Sequence, residues 1–163
     1  MKLSLPFAVA GLTLAITAAA QAQVREEKTI SLALANEAAA AAVAECQAKG
    51  FAVSAAIVDR AGQLKALQRA DNAGPHTLDS SQRKAYTSAS FRAPTGAMME
   101  NAQKNPGAAN IWHIQGVILL AGGVPLRAGD QVVGGIGVGG APAGSIDEEC
   151  ANAGIKKISD RLK

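Results

Sequence analysis

Within "QVVGGIGVGGAPAGSIDEEC", residues 131–150, Gly135, Gly137 and Gly140 have the G-x-G-x-x-G spacing that lets a backbone approach a pyrophosphate. The other residues of this 163-residue chain that could do chemistry are few: His76 and His113, the run "SSQRKAYT" with Ser80, Arg83, Lys84 and Thr87, and Cys46 and Cys150. The glycines stand in the wrong place for a dinucleotide, because such a fold needs them after its first strand and only one helix follows here. Ser145 and Glu148 also form an S-x-x-E capping box, and Asp147, Glu148 and Glu149 fill the first turn with carboxylates that repel a phosphate. The spacing therefore predicts a steric role: a strand without side chains lets a helix or another subunit come close.

Catalytic signatures are missing. There is no G-x-S-x-G, no H-E-x-x-H, no paired metal-ligand spacing and no C-x-x-C. Ser80, His76 and Asp79 could be drawn as a triad, but neighbours on one short stretch rarely reach that geometry. Lys84 and Thr87, three residues apart, share a helix face and could address one ligand. The alternative for Lys84 is a solvated amine whose stem covers apolar surface.

The elements that must position these residues follow from pattern and punctuation. An alanine-rich helix is expected from about Ser31 to Lys49, ended by Gly50. "FAVSAAIVDRAGQLKALQRA" reads as a hairpin turning at Asp59–Gly62. A helix fits "LDSSQRKAYTSASF" before Pro94, and a shorter one fits "TGAMMENAQKN". After the irregular "PGAANIWHIQ", three strands are expected, "GVILLA", "VPLR" and "QVVGGIGV", and then a helix from Ser145 to about Arg161. Short glycine turns between strands imply an α+β fold, a mainly antiparallel sheet of five strands with helices packed on it.

Lys2, the apolar run "LSLPFAVAGLTLAITAAA" and Ala20-Gln21-Ala22 read as a secretory signal peptide over residues 1–22, leaving a single domain over 23–163 that is periplasmic or secreted. Stable membrane insertion is not expected, since no other run is comparably apolar. Lys and Arg total 16 against 13 Asp and Glu and are interspersed, and Phe51, Tyr86, Phe91 and Trp112 are the only aromatics after residue 22, so no nucleic-acid surface is expected. An oxidising compartment, together with terminal helices packed side by side, favours a Cys46–Cys150 disulfide over buried inert thiols or a redox sensor.

"AAIVDRAGQLKALQRADNAGPHTLD", "KAYTSASFRAPT" and "GGVPLRAGDQVVGGIGVGGAPAGSIDEECANAGI" closely resemble the GlcG/HbpS-like family of small haem-binding, so-called haem-degrading, proteins, which is related to the C-terminal domain of the corrinoid adenosyltransferase PduO. The resemblance covers nearly all of the chain after residue 22, in order. It implies a profilin-like α+β domain that assembles into homo-oligomers and, in extracellular members, binds haem. Lys84, Tyr86, Thr87 and Phe91 fall on the family's "KAYTAASF"-like stretch, and Gly122 to Pro125 on its "GGVP" turn. Haem iron takes a His, Met, Cys or Tyr ligand and the propionates favour Arg or Lys. His76 is accordingly the candidate iron ligand, with Arg83 and Lys84 for the propionates. Each residue also has an ordinary role: His76 an exposed loop histidine, His113 with Trp112 either a pocket wall or a closure of the core, Met98 and Met99 helix packing. Two function classes remain open. One is an exported haem or tetrapyrrole binder in storage, sensing or degradation; the other is a non-catalytic domain binding a different small molecule or another subunit.

Overall fold

In the computed structural model, which describes residues 26–163, Ser31 opens α1 (Leu32–Ala48) by accepting the Leu34 N–H on its hydroxyl. Small residues at helical spacing, Ala35, Ala38, Ala39, Ala42, Val43 and Cys46, form its buried face. Gly50, at φ +84°, turns the chain out of the helix. The hairpin β1 (Ser54–Asp59) and β2 (Leu64–Arg69) follows, its turn fixed by Asp59 Oδ1 accepting the Ala61 and Gln63 amides.

Pro75, already at a helical φ of −61°, starts α2 (His76–Phe91) two residues before the expected position, so His76 belongs to a helix rather than a loop. Next come α3 (Thr95–Lys104), two single 3₁₀ turns at Pro106–Ala108 and Ile111–His113, the hairpin β3 (Gly123–Ala128) and β4 (Gln131–Gly139), and α4 (Gly144–Ile158) with a 3₁₀ turn at Ser159–Arg161.

Among the described residues the sheet is antiparallel throughout, in the order β2-β1-β4-β3, and has four strands rather than the expected five. The missing strand is "GVILLA", residues 116–121. That segment forms no regular element, and side chains take its backbone groups: Arg83 donates to the Val117 carbonyl, Thr87 Oγ1 accepts the Ile118 amide, and Thr95 Oγ1 donates to the Leu120 carbonyl. With those groups bonded to α2 and α3, no ladder can form.

Helices cover both faces of the sheet. On one, α1 and α4 bury Ala55, Ile57, Leu126, Ile136 and Val138. On the other, α2 lies across β4 and β1 over a thin layer of Ala56, Val58, Ala85 and Ala89. The glycines explain that thinness. A Cβ on Gly137 would run into the Ser81 carbonyl and the Ala85 amide, and one on Gly135 into the Ala85 carbonyl. The steric expectation for these glycines thus holds, and the close partner is α2.

Cys46 and Cys150 are joined, with Cα atoms 5.6 Å apart, and tie α1 to α4 in the interior. Among the described residues no helix is long and apolar enough to cross a membrane. The expected signal peptide, residues 1–22, lies outside the described residues.

This packing sets the cost of three substitutions. Replacing both cysteines by Ser removes a cross-link between residues 104 apart, and urea denaturation should show a loss of up to about 4 to 5 kcal/mol by the chain-entropy relation. Gly137→Ala presses on helix backbone that cannot yield by a rotamer change, and should cost about 2 to 3 kcal/mol. Gly50→Ala, with open space around it, should cost only about 1 kcal/mol, for its left-handed backbone alone.

Candidate functional site

A cleft with a volume of about 910 Å³ opens between the first half of α2, α3, the segment 117–122 and the start of α4. Helix α2 contributes His76, Ser80 and Lys84, each one turn after the last, so the three side chains stand in a row along one wall. Pro94, Ala97, Met99, Leu120, Ala121 and Ala141 supply the apolar lining. Glu100, Glu148 and Glu149 bring carboxylates, of which Glu149 is bonded to Lys49 outside the cleft.

Lys84 sits at the floor. Its amine donates to Asp147 Oδ2 at 2.7 Å and to the Val138 carbonyl at 2.9 Å, and the two charged side chains are only 5% and 4% exposed. Gly122, at φ +118°, makes the arrangement possible: a Cβ there would lie 2.7 Å from Asp147 Cβ and 3.0 Å from the Lys84 amine. Asp147 Oδ1 also accepts the Ala141 amide at 3.0 Å. Burial pushes the Asp147 carboxyl above its ordinary range, against the opposing pull of the Lys84 charge and the backbone amides.

This corrects the reading of the α4 start. The helix begins at Gly144 after Ala143, with no capping side chain, so Ser145 and Glu148 form no capping box. Asp147 is turned inward to a lysine 63 residues earlier in the chain. Only a partner distant in sequence explains it, and the one local hint is the Gly122-Gly123 pair that leaves room.

The six candidate ligand-binding residues divide into three pairs. His76 and Lys84 line the cleft. Arg83 and Thr87 instead hold the backbone of its wall: the guanidinium bonds the Val117 carbonyl at 2.7 Å, and the buried Thr87 hydroxyl accepts the Ile118 amide at 3.0 Å. Phe91, at the far end of α2, and His113, stacked on Trp112 with ring centroids 3.8 Å apart, do not line it. Trp112 is 55% exposed, so the pair does not close the core. Lys84 therefore borders the cleft, while the Thr87 hydroxyl is bonded to the backbone of its wall. Met99 lines the cleft, whereas Met98 does not. Asp79 points to Arg83 at 3.6 Å and Ser80 donates to the Thr77 carbonyl at 3.5 Å, so no Ser80–His76–Asp79 triad forms. Among the described residues no group of three or more His, Cys, Asp or Glu is placed to hold a metal ion.

Comparison with known proteins agrees with this fold. HbpS from Streptomyces reticuli, in a double-mutant crystal structure, is 39% identical and superposes with a TM-score of 0.79 over 88% of this chain and 97% of its own. A PduOC:heme complex is 25% identical, with a TM-score of 0.73 over 80% of this chain and 95% of that one. Escherichia coli K12 GlcG is 35% identical over 94 residues, 58% of this chain and 69% of GlcG. An uncharacterised 15.0 kDa Citrobacter freundii protein is 30% identical over 97 residues, 57% of this chain, and the match spans 65% of that relative's length. Residues 30–156 match the family described as "Haem degrading protein HbpS-like", and the chain belongs to that HbpS-like family.

Proposed function

We propose that this protein binds haem in the cleft with His76 as the iron donor, and works after export, in the periplasm or outside the cell, as a haem store or sensor that assembles into homo-oligomers. The observation that carries the reading is that a roomy cleft with a partly apolar lining is bordered by the exposed imidazole of His76. A family matched over most of the chain and a PduOC relative named as a haem complex support it. The buried disulfide is what an oxidising compartment would favour.

The residues present fit the ring and its iron. His76 offers a nitrogen donor on the first turn of a helix held by Pro75, and Leu120, Ala121, Ala97 and Pro94 offer an apolar bed. Bound haem would supply redox chemistry at its iron. The chain's own part is to hold and to shield: Arg83, Thr87 and Thr95 fix the 117–122 wall through backbone groups, so the cleft keeps its shape without a ligand.

One observation favours the second reading, a cleft for a different small molecule. Arg83 and Lys84 are both bonded inside the protein, and the remaining charges at the rim are carboxylates, so propionates find no cationic partner in the cleft.

Hemin titration separates the two. Under the haem reading, the purified protein gives a saturable Soret shift near one equivalent per chain, abolished in His76→Ala and kept in His113→Ala. A featureless titration, or one that His76→Ala leaves unchanged, discards the assignment and selects the second reading.

A further inference from the structure

We propose that Lys84 is a carbonyl-capturing amine, forming an imine with an uncharged aldehyde or ketone that enters the cleft, with Asp147 as its proton partner. This goes beyond the haem reading and does not rest on it.

An ammonium has three hydrogens to donate, and the structure uses two of them, on Asp147 Oδ2 and on the Val138 carbonyl. The third has no protein acceptor among the described residues, and Lys84 borders the cleft although its side chain is 95% withdrawn from solvent. A buried ion pair that served only to fill space would be no more stabilising than an apolar pair of the same volume. Here the pair lies at the floor of an open cleft, and Gly122 contributes no side chain that would cover the amine.

Imine formation needs an unprotonated amine, a base to receive its proton and a donor near the carbonyl oxygen. Asp147, 2.7 Å away, is the base, and burial raises its affinity for a proton. Ser80 is one turn earlier on the same wall; a Cβ on Gly139 would fall 2.7 Å from its hydroxyl oxygen, and Gly139 adjoins the Val138 carbonyl that holds the amine. Asp147 takes one proton from the ammonium and the freed nitrogen pair bonds the carbonyl carbon. The carbonyl π pair moves to oxygen, and the nitrogen's second proton passes to that oxygen through the Ser80 hydroxyl, which takes up one proton as it gives another. Departure of that oxygen as water, with a proton returned from Asp147, leaves C=N. One C=N bond replaces one C=O, one water is released, and nothing is oxidised or reduced. The product iminium retains the positive charge and one N–H, so the pairing with Asp147 survives. Glu100 and Glu148 at the rim repel anionic carbonyl compounds and restrict the class to uncharged ones.

The test is reductive trapping of the haem-free full chain with butanal and sodium cyanoborohydride, followed by peptide mass mapping. Lys84 is expected to acquire the butyl adduct at least about tenfold faster than exposed Lys104, Lys156 and Lys163, with glyoxylate giving no such preference. In Asp147→Asn the Lys84 rate should fall to the level of those exposed lysines while theirs stay unchanged. Labelling of Lys84 slower than or equal to the exposed lysines in the wild-type protein overturns the proposal, and this readout stands even where Asp147→Asn does not fold. Equal Lys84 rates in wild type and Asp147→Asn overturn the assignment of Asp147. Because the readout is mass in the absence of haem, a failed hemin titration and a failed labelling are separate results.

Discussion

The backbone of α2 rests directly on β4, and the rest of the molecule is arranged around that contact. Gly135, Gly137 and Gly139 remove the side chains that would normally separate a helix from a sheet, and Ala85, Ala89, Ser81 and Ser88 are small enough to use the space. A helix held this low brings the Lys84 amine level with the Val138 carbonyl at the end of the strand. With ordinary side chains on β4 the lysine would stand a layer further out, in solvent, as long amphipathic side chains on helices usually do. The same approach places Thr87 and Arg83 where they can hold the 117–122 segment.

The two faces of the sheet consequently differ in kind. The α1/α4 face is a continuous aliphatic and alanine core, closed by the disulfide. On the α2 side the apolar layer is only four residues, and buried polar groups gather there and at its margins: Thr77, Ser81, Lys84, Thr87, Ser88, Thr95 and Asp147. Among the described residues no buried side-chain polar atom lacks a partner, so this polar face is as fully specified as the apolar one. A site built there is already organised before any ligand arrives.

How much of this was legible in the sequence depended on the range of the interaction involved. Helix α1, the first hairpin and the β3–β4 hairpin were readable because their signals are local: Ser31 before an apolar period, Gly50 after it, Asp59 and Gly62 in a turn, Gly129-Asp130 between two strands. "GVILLA" misled because an apolar run looks the same whether its backbone groups meet a neighbouring strand or, as here, the hydroxyls of Thr87 and Thr95. Ser145 and Glu148 misled in the same way, since a sequence that satisfies a local capping rule was overridden by the distant pairing of Asp147. Of the site, His76 and Lys84 could be named from residue type and family resemblance. That Arg83 and Thr87 would serve the wall, and that Asp147 would face Lys84, depends on how far the chain segments travel to meet.

The cross-link between α1 and α4 has a mechanical consequence. The four strands, all of the cleft lining but Asn152 and the Lys84–Asp147 pair lie between residues 46 and 150, inside the covalent ring that the disulfide closes. Tension applied through the flanking segments peels away α1 up to Cys46 and α4 back to Cys150, and is then carried by sulfur rather than by the sheet. While the bond is oxidised, the ligand-holding half of the molecule is shielded from pulling forces transmitted along the chain.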